Sequence, residues 1–148
     1  VIVRPARAED ILALAEVAAR SYSVSFGTIL EPEVLATRNA AFFAERFRSS
    51  CECMLIAEQN GKIAGFLLMT DGHIDMLFMD PAVSGQGGGA RLLEAAEKRG
   101  AKSLECFRDN HGARRFYERH GWRVTRRYER EFAGRNRSFV FYEKGAAT

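Results

Sequence analysis

The chain is poor in cysteine, with three (Cys51, Cys53 and Cys106) in 148 residues. A set that small and odd in number cannot build a disulfide framework, and it fits a reducing cytoplasm better than a secreted scaffold. Cys51 and Cys53 resemble half of a metal motif, but no second Cys/His pair stands at ligand spacing, so no metal is expected. Long apolar runs are missing too. The longest, Ile63–Met69, is broken by Gly65 and falls far short of the roughly 20 residues that span a bilayer. No arginine-led apolar leader with a cleavage site opens the sequence, so no secretory signal is expected. Linkers, low-complexity tracts and repeats do not occur. What is present is ordinary globular composition, 47% hydrophobic and 28% charged, which excludes a disordered or fibrous chain. The length suits one domain, 1–148.

The net charge of +3 is unevenly spread: residues 1–97 hold 8 Lys/Arg against 13 Asp/Glu, and residues 98–148 hold 14 against 6. A basic C-terminal third would attract a phosphate-bearing ligand or nucleic acid. Solvated helix and strand faces would give the same count. The series Arg114-Arg115, Arg119, Arg123, Arg126-Arg127 and Arg130 lacks the aromatic interleaving that stacks bases, so nucleic acid is not an expected partner.

Periodicity predicts the elements. Val1–Arg7 alternates as a short strand, and Ala8–Arg20 carries the three-and-four spacing of an amphipathic helix. Ser21–Glu31 reads as irregular. Pro32 suits a first helical turn, and a second helix is expected from there to about Arg48. Strands Cys53–Gln59 and Lys62–Thr70 are joined by Asn60-Gly61, a strong hairpin signal, and Asp71-Gly72 leads to a third strand, His73–Met79. Ala90–Arg99 reads as a helix ended by Gly100, and Lys102–Phe107 as a strand. A helix capped by Asp109 should run to about His120. Trp122–Phe132 and Ser138–Lys144 complete the set, joined by Ala133–Asn136. The order β-α-α-β-β-β-α-β-α-β-β implies an α/β class with a mixed sheet and helices on both faces.

The chemistry concentrates in Asp80–Leu93. Four glycines in five positions (Gly85, Gly87, Gly88, Gly89) are costly in chain entropy, so the backbone there must need to be bare. Such a loop can turn N–H groups inward, and the helix after it adds the positive end of its dipole, which makes a cradle for a diphosphate. A flexible loop or a tight packing turn is the competing explanation. A P-loop is excluded, because Gly89-Ala90-Arg91 stands where Gly-Lys-Ser/Thr is required. A dinucleotide-binding fingerprint is formally present, since Gly85, Gly87 and Ala90 satisfy G-x-G-x-x-A with Glu105 20 residues on, but about five residues separate them from the strand, and the upstream strands are hairpins.

The segment resembles the pyrophosphate loop of the GCN5-related N-acetyltransferase (GNAT) superfamily. Ser84-Gly85-Gln86-Gly87-Gly88-Gly89 followed by Leu92-Leu93 matches its Gln/Arg-x-x-Gly-x-Gly/Ala pattern, with Ser84 in place of the long polar residue. Asn110, Ala113, Phe116-Tyr117-Glu118 and Gly121-Trp122 match the family's downstream pattern. The resemblance implies the acyl-CoA N-acyltransferase fold and a cytoplasmic enzyme moving acetyl from acetyl-CoA directly to a primary amine. It places coenzyme contacts on Ser84, Gly85, Gln86, Gly87, Gly88, Gly89 and Ala90, on the main chain of Leu77, Phe78 and Met79, and on Asn110. Part of the arginine series could meet the coenzyme's 3′-phosphate or an acidic acceptor. A non-catalytic acyl-CoA sensor, or an acetyltransferase acting on an RNA-borne amine, would share these features.

Acetyl transfer requires an amine to lose a proton, charge on the carbonyl oxygen to be stabilised and the leaving thiolate to be protonated. Tyr117 is the candidate acid, on one helix face with Ala113, Phe116 and His120. A phenol that ionises only near pH 10 keeps its proton for donation at neutral pH. A packed core tyrosine is the alternative. The base is open between Glu105, in the family-like strand position, and Asp75, with His73 two residues before it. Asp75 is the odd residue in an apolar strand, where an unpaired buried carboxylate is costly. Ser21–Glu31 and Phe132–Phe139 are expected to shape the acceptor side, and an exposed last hairpin could pair in a homodimer.

Overall fold

The computed structural model describes residues 1–83 and 87–145. Among the described residues seven strands form one sheet in the order β1-β2-β3-β4-β5-β7-β6. They are β1 (Ile2–Pro5), β2 (Met54–Gln59), β3 (Lys62–Thr70), β4 (His73–Met79), β5 (Ser103–Phe107), β6 (Trp122–Phe132) and β7 (Arg135–Lys144). Three tight hairpins set the register. Asn60-Gly61, Asp71-Gly72 and Ala133-Gly134 all have positive φ at both residues, the geometry whose twist matches antiparallel strands. The last turn is therefore shorter than Ala133–Asn136, and β7 begins at Arg135.

The helices are α1 (Ile11–Phe26), α2 (Pro32–Thr37), α3 (Ala40–Ser50), α4 (Gly88–Lys98) and α5 (His111–Arg119). Several differ from expectation. α1 continues through Ser21–Phe26, because Ser21 and Tyr22 are buried and tertiary packing carries the helix past its amphipathic start. The expected Pro32–Arg48 helix is two helices: the chain breaks at Arg38, and Asn39 restarts it by accepting from the Phe42 N–H (2.9 Å). Asn110, not Asp109, is the N-cap residue of α5; Asp109 instead pairs with Arg108 (3.0 Å).

Helices cover both faces of the sheet, and β2 shows why Met54–Ala57 is an unbroken apolar run. Met54 and Ile56 join Leu14, Phe43, Phe47 and Phe66 under α1 and α3. Leu55 and Ala57 join Leu92, Leu93, Ala96 and Tyr117 under α4 and α5. A strand buried on both sides loses its polar alternation. Among the described residues no helix is long and apolar enough to cross a membrane.

Candidate active-site cleft between β4 and β5

The sheet is not continuous at its centre. β4 and β5 run parallel but pair only at His73–Ser103 and Ile74–Leu104. Beyond those pairs β5 is held by β7 along its whole length, from Ser103–Glu143 to Phe107–Phe139, while β4 stays with β3. The strands therefore diverge and leave a cleft of about 890 Å³ through the sheet. One wall belongs to α5 (Asn110, Gly112, Ala113, Tyr117), the opposite one to α1 and α3 (Tyr22, Phe26, Phe42, Phe43).

The open edge of β4 carries unpaired backbone. The Asp80 N–H donates to the Ala64 carbonyl across to β3 (2.7 Å). By the two-residue alternation of an antiparallel pair, Phe78 also faces β3, and Leu77 and Met79 turn their N–H and C=O groups to the cleft. The Met79 carbonyl already has Ser21 Oγ at 3.1 Å. Phe78 differs from the expectation of a main-chain contact: β3 takes its polar groups, and it meets the cleft as a wall residue.

Four of the expected coenzyme positions lie at the start of α4, and three, Ser84, Gly85 and Gln86, lie outside the described residues. The helix starts at Gly88, two residues before the expected Ala90. Gly87 is its N-cap with φ of 79°, a conformation that L side chains rarely adopt. The Arg91 N–H closes the first turn on the Gly87 carbonyl (3.1 Å), so the N–H groups of Gly88, Gly89 and Ala90 have no helical acceptor. A Cβ on Gly88 would sit 2.5 Å from Met79 Cε, so the bare backbone brings this helix end against the end of β4.

The candidate catalytic side chains gather in the cleft. Tyr117 is buried, packed against Trp122 and Tyr142, and burial with neighbouring Cys106 raises its phenol well above the ordinary value. Cys106 beside it is pushed up to about 12 by burial, so it is a neutral thiol at physiological pH. Asp75 is exposed rather than buried. The register steps from Met69–Ile74 to Leu68–Met76, which leaves Asp75 as the extra residue of a β-bulge. Its Oδ2 accepts from Thr70 Oγ1 (2.8 Å), so the desolvation expected for a carboxylate in this apolar strand does not arise. His73 lines the same cleft, with Nδ1 2.8 Å from Ser103 Oγ.

Glu105 is more constrained. Burial opposes its charge, but hydrogen bonds from Arg130 and Tyr128 and the charges of Arg130 and His73 outweigh it, and its carboxyl lies below the ordinary range. Arg130 reaches both carboxylate oxygens, and the Tyr128 hydroxyl shares one of them. Asn110 lines the cleft and makes no side-chain cap bond.

Sequence reasoning missed Tyr128 and the wall residues Arg38, Phe42 and Arg46. For Phe42 and Arg46 the four-residue spacing was the available signal, since it stacks them along one face of α3; Arg38 lies at the break between α2 and α3 and had no such signal.

The sequence profile described as "Acetyltransferase (GNAT) domain" matches residues 24–144. The chain belongs to the GNAT family. The peptidyl-lysine N-acetyltransferase YjaB of Salmonella typhimurium is 39% identical over 72 residues, 48% of this chain and 50% of that protein. The chain thus matches about half the length of that curated relative. A GCN5-related N-acetyltransferase from Rhodopseudomonas palustris superposes with a TM-score of 0.77 at 27% identity, over 98% of this chain and 95% of that one. The solution structure of apo YjaB from Escherichia coli superposes with a TM-score of 0.82 at 24% identity, over 98% of each. The dinucleotide reading ends here: the parallel crossover pairs over only two residues, and Glu105 is engaged by Arg130.

Proposed function

We propose that this GNAT-family chain, taken as one domain over 1–148, is an N-acetyltransferase that moves acetyl from acetyl-CoA directly to a primary amine. The observation that carries the reading is the parting of β4 from β5 after Ile74, which leaves the strand-like backbone of Leu77 and the N–H of Met79 open beside the bare N-terminus of α4. The residues fit the coenzyme. N–H groups of Gly88, Gly89 and Ala90 suit a diphosphate, and the open amides of β4 suit the amides of a pantetheine arm. Asn110 stands on the same side of the sheet to bind the arm. Acetyl-CoA supplies the activated acyl group.

Tyr117 is the proposed acid. Its phenol lines the cleft and keeps its proton at neutral pH; burial weakens it as an acid, but it still carries the proton that a departing thiolate needs. Asp75 is the better placed base than Glu105, whose two oxygens are engaged by Arg130 and Tyr128 and whose lowered pKa makes it a weak proton acceptor. Cys106 is protonated and buried, which favours direct attack by the amine over a cysteine acyl-enzyme. We place the enzyme in the cytoplasm from its three free cysteines, and a homodimer would use the long edge strand β6.

Thermal-shift measurement tests the coenzyme site: acetyl-CoA should stabilise the protein and NAD should not, and the reverse result overturns the reading. Thiol release from acetyl-CoA over an amine panel, including lysine peptides as the Salmonella relative's name suggests, then separates an enzyme from a sensor.

A further inference from the structure

The arginines around the cleft fall into two groups. On the hairpin side three have an acid, while Arg126 lies over the Tyr128 and Phe141 rings (5.8 and 4.3 Å) with no carboxylate partner among the described residues. Arg130 holds Glu105, while Arg135 and Arg137 both hold Glu31 at 2.9 and 2.8 Å. On the opposite wall, among the described residues, Arg38 and Arg46 line the cleft with no carboxylate partner. Arg38 is half-buried where α2 ends, and its guanidinium lies 4.7 Å from the Phe42 ring centre and 5.9 Å from that of Phe132. Its guanidinium donates to the hydroxyl of its neighbour Thr37 (3.0 Å) and also meets the Tyr22 hydroxyl, both neutral partners. Arg46 follows one turn after Phe42, itself 38% exposed, so the three form an Arg-Phe-Arg stripe facing the cavity.

A guanidinium stacked between rings has lost water and gained no anion, which leaves its in-plane donors ready for a carboxylate. The stripe cannot serve the coenzyme's diphosphate, because it lies on the α1/α3 face of the sheet and α4 begins on the other. Between stripe and β-bulge the wall is aromatic: Tyr22, Phe26 and Phe78. At the bulge stands Asp75, an anion suited to an ammonium group. The cleft is thus bipolar, negative where the strands part and positive at the rim.

We infer that the acceptor is an amine that also carries a carboxylate, and that Arg38, supported by Arg46, reads that carboxylate and sets specificity. This rests on the acetyl-transfer reading above. The carboxylate could belong to a free amino acid or to an acidic side chain flanking a lysine in a peptide, and the chemistry is shared.

Matched pairs test it. Thiol release from saturating acetyl-CoA is measured with ω-amino acids of several lengths against their carboxamides, and with lysine peptides flanked by Glu against Gln. Binding of each compound to the CoA-loaded protein is measured by calorimetry. In at least one set the acid should exceed its amide by about tenfold or more in kcat/KM, carried by KM, the size expected for a charge-assisted contact. Arg38→Met should reduce the acid to the level of its amide, and Arg38→Lys should restore part of the preference. A preference among free amino acids assigns a small-molecule acceptor, and one among peptides assigns an acidic peptide. Acetyl-CoA binding to Arg38→Met confirms that the variant is folded. Failure of the wild-type protein to bind acetyl-CoA removes the transfer reading and this inference with it. Normal acetyl-CoA binding with no acid preferred over its amide, in turnover or in binding, overturns this inference alone.

Discussion

Tyr117 and Gly87 show how much a single position depends on its surroundings. Tyr117 sits among Phe116, Trp122 and Tyr142, and burial holds its hydroxyl neutral. Tyr117→Phe keeps the ring and its packing and removes only the transferable proton. Turnover should fall by about two orders of magnitude, the scale of general acid catalysis, while calorimetry finds acetyl-CoA binding retained. Unchanged turnover would assign the proton to another donor. Gly87 makes the complementary case. It holds φ of 79° and a Cβ there would meet no atom within 4 Å, so the restriction is conformational rather than steric. In Gly87→Val a β-branched residue is forced into a left-handed cap, and the first turn of α4 shifts. Acetyl-CoA affinity should drop well before global stability does, and wild-type affinity in that variant would separate the helix start from coenzyme binding.

At the level of elements, the β6–β7 hairpin, which brings Arg130, Phe132 and Phe139 to the cleft, is docked on the start of α2. Arg137 grips both oxygens of Glu31, and Arg135 adds a third contact. The Arg137 hydrogen bonds come first in holding the Glu31 carboxyl down to about 2. A depressed carboxylate contributes stability that is present above its unfolded value near 4.3 and is lost as pH falls through about 2. Glu31→Gln loosens this clamp at neutral pH. Hydrogen exchange at Arg135–Arg137 should speed up, and KM for the acceptor should rise while acetyl-CoA affinity stays put. Equal loss on both ligands would mean that the hairpin supports the whole fold rather than the rim. The hairpin was readable in the sequence because Ala133-Gly134 lies between two alternating runs. Its docking on α2 was not, since Glu31 and Arg137 are 106 residues apart and nothing local links them.

For the molecule as a whole, two cores on opposite sheet faces share the strands between them, so buried ionisable groups in either tax the same folding equilibrium. Cys106 and Tyr117 both have raised values in the α4/α5 core. The unfolded chain releases these protons near pH 8.5 and 10, while the folded chain retains them, so their contribution is complete below pH 8.5 and shrinks as pH rises toward 12. Urea midpoints followed by emission of the single tryptophan, Trp122, which is buried, should therefore fall steadily above about pH 8.5. A midpoint flat to pH 11 would show that these groups are solvated.

The sequence by itself determined the strands, the Asn60-Gly61 and Asp71-Gly72 turns and the glycine-rich approach to α4, because turn chemistry and apolar period act over a few residues. It also marked Tyr117 and Asn110 through a pattern local to one helix. Tertiary structure alone decided that Asp75 bulges out to Thr70, that Phe78 gives its amide to β3, that α1 runs on to Phe26, and that Arg38 reaches the cleft without an acid. Each depends on which distant segment arrives opposite a residue, and that follows from the parting of β4 from β5, which β7 imposes by pairing with the whole of β5.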